Sequence, residues 1–186
     1  MEERSRICKE SCPLEEKDRR AEFDRVALPH LEAAYNLARW LMRHDQDAED
    51  AVQEAYMRAF QFFHSFYGDT GRAWILQIVR NTCYTRMAAR HVSETSHESP
   101  EALDVAATSD ANPATLLERQ EDRKMLLAAV DGLPIEFREV IVLRELEELS
   151  YKDIARIAEV PIGTVMSRLA RARERLHEIL DGRGKG

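Results

Sequence analysis

The stretch Tyr151–Leu176, YKDIARIAEVPIGTVMSRLARARERL, has the form of a helix-turn-helix. Ser150 can cap a short helix, YKDIARIA, that turns Ile154, Ala155 and Ile157 inward. Glu159, Val160 and Pro161 make a tight break. A long helix from about Ile162 to Leu180 follows, with Val165, Leu169, Leu176 and Ile179 on one side. The small Ala155 lets the second helix cross closely. On the opposite side Thr164, Arg168, Arg171 and Arg175 recur at i, i+4, i+7 and i+11, a polar stripe with three guanidinium groups. Such a helix suits a major groove, where early residues reach base edges and later arginines grip phosphates. Glu174 and Glu178 offer the plainer alternative, a solvated face of Arg/Glu pairs.

Outward from this motif the chain is helix-leaning. Its 186 residues are 44% apolar and 33% charged, with only 7 Gly and 6 Pro, too few turn residues for a β-rich fold. No run approaches the roughly 18 apolar residues that span a bilayer, and the start, MEERSRICKESC, lacks the apolar core of a secretory signal. A cytoplasmic protein without membrane contact is expected. Cys8, Cys12 and Cys83 are too few for a disulfide framework, and Cys83 reads as a small core hydrophobe. The net charge of -7 divides as -1 over residues 1–90, -7 over 91–122 and +1 over 123–186. The acidic excess therefore sits in one segment and does not argue against a nucleic-acid partner.

That segment, HVSETSHESPEALDVAATSDANPATLLE, has no sustained apolar period and reads as a linker over 91–120. The expected architecture is all-α: a charged arm over 1–22, two small helical domains over 23–90 and 121–182, and a flexible acidic linker joining them, with the helix-turn-helix in the second. In the first domain one helix should run from Asp24 to Arg43, with Pro29 in its first turn or at a kink. A second should start at Asp47, capped with Asp50, and bury Ala48, Ala51, Val52, Ala55, Tyr56, Ala59 and Phe60. Asp50, Gln53, Glu54 and Met57 then share the face away from that stripe. A third should run from Arg72 to Arg90, burying Trp74, Ile75, Ile78 and Val79 and exposing Arg80, Asn81 and Tyr84. In the second domain the helices preceding the motif should cover 121–131 and 135–146.

Two separate motifs now carry a resemblance. DAEDAVQEAYMRAF resembles the core-polymerase-binding helix of a bacterial sigma factor of the small extracytoplasmic-function class. Phe63 to Arg90 is similar to that family's promoter-melting and minus-10-reading segment, and LPIEFREVIVLRELEELSYKDIARIAEVPIGTVMSRLARARERL to its minus-35-reading domain. The likeness covers about Phe23 to Leu180 apart from the linker. One departure is Glu159, where many helix-turn-helix sequences have Gly, which leaves the backbone angles of the turn open.

The resemblance implies a non-catalytic subunit that brings core RNA polymerase to promoter DNA, restrained by an anti-sigma factor. It implies polymerase binding by Asp50, Gln53, Glu54 and Met57. It implies minus-10 reading and melting by Phe66, Tyr67, Arg72, Arg80, Asn81 and Tyr84, where aromatic rings beside a basic helix suit unpaired bases. Ile162, Thr164, Ser167, Arg168, Arg171 and Arg175 make up the minus-35 set. No Gly-rich phosphate loop, placeable Ser/His/Asp set or HExxH pair is present, so no enzyme, cofactor or small-molecule substrate is expected. Cys8 and Cys12 with His30 are a weak set of zinc ligands, and no metal is expected. The rival is a free-standing helix-turn-helix regulator that binds duplex DNA without polymerase. The linker could follow a basic channel of polymerase or fold back on the arginine stripe.

Overall fold

The computed structural model describes residues 13–66, 70–93 and 124–183, and among these every regular element is a helix. The N-terminal half holds α1 (Pro13–Ala27), a 3-10 turn (Leu28–His30), α2 (Leu31–Met42), α3 (Asp45–Gln61), a second 3-10 turn (Phe63–Ser65) and α4 (Gly71–Ser93). The C-terminal half holds α5 (124–131), α6 (Ile135–Ile141) running into a π-helical turn (Val142–Leu146), α7 (Tyr151–Ala158) and α8 (Ile162–Arg183). The expected linker falls almost wholly outside the described residues.

Four expectations need correction. Residues 13–22, expected in an arm, are helical, because α1 docks through Phe23 and Ala27, both buried. Phe23 meets Phe60 and Phe63 edge-on at 5.2 and 5.4 Å between ring centres. The single helix from Asp24 to Arg43 is two, since Pro29 lacks the N–H that would continue the ladder and occupies the 3-10 turn. The capping box at Asp47 does not form. α3 starts at Asp45 after His44, while Asp47 pairs with Arg90 and Asp50 with Arg86. The helix expected over 135–146 changes from α to π geometry at Val142. In contrast, α7 and its Ser150 cap lie where the sequence puts them.

In the N-terminal half the alanine stripe Ala48, Ala51, Ala55 and Ala59 is wholly covered and lets α3 approach α2 and α4 closely around Leu37, Leu76 and Val79. The Tyr56 hydroxyl donates to the Ala27 carbonyl at 3.0 Å, tying α3 to the end of α1. Cys83 lies in this core, where burial pushes its thiol up to about 12, so it stays neutral. In the C-terminal half Val140, Leu143, Ile154, Ile157, Val165 and Leu169 close the second core.

The two halves also pack on each other, α2 against α6 and α4 against α7, and the buried apolar cluster is continuous between them. Arg138 of α6 is buried, donating 2.8 Å to the carbonyl of Trp40 and 3.1 Å to that of Leu133. Burial and the nearby Arg43 charge lower its guanidinium to about 10, still charged at neutral pH.

A Cβ on Gly71 would stand 2.7 Å from Val26 Cγ1 and 2.8 Å from the Val26 carbonyl oxygen. The obstacle includes backbone, so α1 and α4 would have to separate. Gly71→Ala should cost about 1 to 3 kcal/mol by denaturant titration. Gly163→Ala, with nothing within 4 Å, should be neutral or slightly stabilising.

Candidate nucleic-acid interface

Local bonds build the helix-turn-helix. Ser150 Oγ accepts the Asp153 N–H at 3.1 Å and starts α7. Glu159 ends it in the left-handed region, φ 55° and ψ 42°, and the Val160 N–H returns to the Ala155 carbonyl at 3.0 Å. Glu159 thus takes the angles for which a glycine is ordinarily used. The Thr164 N–H to Pro161 carbonyl bond, 2.9 Å, begins α8. Val165, Leu169 and Ala172 anchor α8 against α6 and α7.

On the outer side of α8, Ile162, Ser167, Arg171 and Arg175 are exposed, and Thr164 and Arg168 are half-buried. Among the described residues Arg173 is committed to an ion pair, 2.7 Å from Glu145, whereas Arg168, Arg171 and Arg175 are in none. The Arg/Glu pairing available within the helix is not realised there, and the stripe remains open to an anion.

The face of α4 is arranged differently. Arg80, Asn81 and Tyr84, expected to be exposed, are each partly covered by the C-terminal half. Arg80 Nε donates 2.5 Å to Glu139 Oε1, and the Tyr84 hydroxyl donates 3.2 Å to Glu139 Oε2. The Arg80 guanidinium also lies 4.2 Å from the Tyr84 ring centre. Burial pulls the Arg80 pKa down, but the hydrogen bond and charge of Glu139 outweigh it and hold it above its ordinary value. Burial and the same carboxylate push the Tyr84 phenol up to about 12. Asn81 and Gln77 donate to Glu159 at 3.1 and 2.9 Å. Their bonds hold the Glu159 carboxyl below the usual range. Arg72 donates 2.5 Å to the buried Glu147.

Phe66 packs into the aromatic core, 6.0 Å from the Phe63 ring and 4.9 Å from Trp74, rather than standing free for a base. Tyr67 lies outside the described residues. The sequence reading missed the acids Glu139, Glu147 and Glu159. One signal for Glu139 was present: with Arg138 it stands between Phe137 and the apolar run Val140 to Leu143, where a buried charge needs a partner.

The α3 set divides. Gln53 and Met57 are exposed, Met57 by 61%, beside a groove formed with Arg20, Phe23 and Phe60. Asp50 and Glu54 are half-buried against α4, where Arg86 reaches them at 3.2 and 3.0 Å. No helix among the described residues is long and apolar enough to cross a membrane, and no group of three or more potential metal-ligating side chains occurs among them. Cys8 and Cys12 lie outside the described residues.

Comparison with known proteins follows the same division of the chain. Residues 27–91 match the family described as Sigma-70 region 2, and residues 123–176 match Sigma-70, region 4. The chain is 33% identical over 158 residues to the ECF RNA polymerase sigma factor SigE of Mycolicibacterium smegmatis, covering 85% of this chain and 61% of that protein. It is 36% identical over 135 residues to the ECF RNA polymerase sigma-E factor of Escherichia coli, covering 69% of this chain and 71% of that one. Among solved structures, the sigma factor RpoE in complex with the anti-sigma factor NepR from Bartonella quintana superposes with a TM-score of 0.70 at 30% identity, covering 89% of this chain and 98% of that one. The family is one of DNA-binding regulatory proteins rather than enzymes. With both regions matched in order and relatives above 30% identity, the chain belongs to the sigma-70 family, as a factor of the extracytoplasmic-function class.

Proposed function

We propose that this protein is a dissociable specificity subunit that directs core RNA polymerase to promoters, α8 reading the minus-35 element and α4 with its preceding loop contacting the minus-10 strand. The observation that carries the reading is the outer face of α8, where Arg168, Arg171 and Arg175 line up without an ion pair among the described residues. Arginines on a helix braced from behind by Val165 and Leu169 are placed to meet phosphates and base edges together. The polymerase supplies the catalysis. Its docking site is assigned to the α3 face, with Gln53 and Met57 at its accessible centre and Asp50 and Glu54 at its edge. An anti-sigma partner is assigned by likeness to the Bartonella factor solved with NepR.

Run-off transcription with purified core polymerase on a library of promoter fragments tests the function. Promoter-specific transcripts are expected, and their absence beside tight operator binding by the isolated protein would establish the free-standing regulator instead. Replacement of Arg171 or Arg175 by Ala should weaken DNA binding at all sequences and reduce the log-log salt slope by about 0.9 per lost phosphate contact. Changes at Thr164 or Arg168 should shift sequence preference, by about 1 to 3 kcal/mol for a lost bidentate base contact. Met57→Glu should abolish co-purification with core polymerase while leaving helix content unchanged, since Met57 is exposed and makes no core contact that folding needs. Retained binding by the folded variant would move the docking site elsewhere.

A further inference from the structure

The exposed surface of α8 is chemically two-sided. Val165, Leu169 and Ala172 fix which side of the helix faces the core, and at about 100° per residue the exposed positions fall on two flanks of that line. Thr164, Arg168, Arg171 and Arg175 lie on one flank, their three guanidinium groups in no ion pair among the described residues. Ile162, Met166, Ala170, Arg173 and His177 lie on the other. Its polar side chains already have partners, Arg173 with Glu145 and His177 with Asp181, each at 2.7 Å. What this flank leaves open is apolar: Met166 is 54% exposed and Ile162, one turn earlier, 46%.

A lone exposed hydrophobic side chain needs no explanation. Two of them one turn apart, at the entry of a helix assigned to a major groove and opposite its cations, call for a ligand that is apolar in the same place. The edges of the base pairs in that groove carry one such group, the C5 methyl of thymine. The ridge between the two flanks begins with Gly163 and Ser167, and a Cβ on Gly163 would meet nothing within 4 Å. Small residues there let the helix lie close to the groove floor, so the long thioether side chain of Met166 reaches base edges while the arginines of the other flank reach phosphates.

We infer that Met166, with Ile162 beside it, is a specificity determinant of α8: it packs on thymine C5 methyl groups in the major groove, so the preferred duplex carries T·A pairs on the Met166 side of the helix. This rests on the assignment of α8 to duplex DNA and extends it to a residue outside the arginine stripe. A cytosine at the same place offers an amino donor and no methyl, and the thioether gives that donor only a weak acceptor.

The test uses the full chain, alone and with core polymerase, to select duplexes from a pool with a randomised cassette. Wild type, Met166→Ala and Met166→Gln are compared, and circular dichroism verifies that each is helical. Wild type should enrich at least one thymine that neither variant requires. Replacing that thymine by deoxyuridine removes only the C5 methyl. It should lower wild-type affinity about threefold to fivefold, the worth of one buried methyl group, and leave Met166→Ala unaffected. An element in which no thymine responds to deoxyuridine, or a response that survives Met166→Ala, overturns the inference. So does a Met166→Ala variant that weakens transcription equally from every promoter, since that would make Met166 a polymerase contact. Enrichment of no duplex in either arm refutes the assignment of α8 and the inference with it, whereas enrichment insensitive to Met166 refutes the inference alone.

Discussion

The carboxylate of Glu139 is the point on which the relation between the two halves depends. It is completely removed from water, and its ion pair is with Arg80 of the other half. A charge buried in that way is tolerated only with a well-placed counter-charge and hydrogen bonds to its remaining lone pairs. Arg80 and Tyr84 supply these from α4. The next residue back, Arg138, is buried on the same helix and finds the Trp40 carbonyl of α2. α6 therefore carries two adjacent charges into the interface, and each makes a hydrogen bond to the other half. Apolar burial alone would hold the halves together in many registers. The directional bonds of Glu139 and Arg138 select one.

α4 becomes the pivot of the molecule for the same reason. Ile75, Leu76, Val79 and Cys83 face the N-terminal core, and the other side of the helix is left with Gln77, Arg80, Asn81 and Tyr84. A row of donors on a rigid helix favours an acceptor-rich ligand. Acids of the C-terminal half are the acceptors met in this conformation, and a nucleic-acid strand presents the same chemistry. α8 differs because the groups around its stripe are not acids positioned to receive it: Glu145 takes Arg173, on the flank, and leaves the outer arginines available. Two helices with similar basic chemistry are thus in different states within one chain.

Much of this was legible from residue order. The Ser150 cap, the break at Pro161 and the apolar spacing of Ile154, Ile157, Val165 and Leu169 fix α7 and α8 by local rules, and the alanine stripe does the same for α3. α1 was not legible, because PLEEKDRRAEFDRVA has little amphipathic signal and is held by a tertiary contact of Phe23. The accessibility of the α4 face was misread for a related reason: periodicity reports which side of a helix is polar but not what packs against that side. Glu139 and Arg80 are 59 positions apart, and nothing local connects them. Asp50 and Glu54 show the same limit, since the exposed face of an isolated α3 lies beside Arg86 in the folded protein.

The helix ends show where tertiary demands override local preference. Arg43, Glu148 and Glu159 are non-glycine residues with positive φ, at 67°, 51° and 55°. A left-handed residue with a Cβ costs about 1 to 2 kcal/mol, and glycine is the usual solution. At two of the three the side chain crosses between the halves: Arg43 Nη2 donates 2.6 Å to the Asp131 carbonyl, and Glu159 receives Gln77 and Asn81. Nothing in the structure explains the third, Glu148. The strain belongs to the turn and persists whether or not the halves touch, so it does not itself drive closure. What it indicates is an exchange: a glycine would stabilise each domain alone, and the chain instead carries a charged side chain whose bonds exist only when the domains are together.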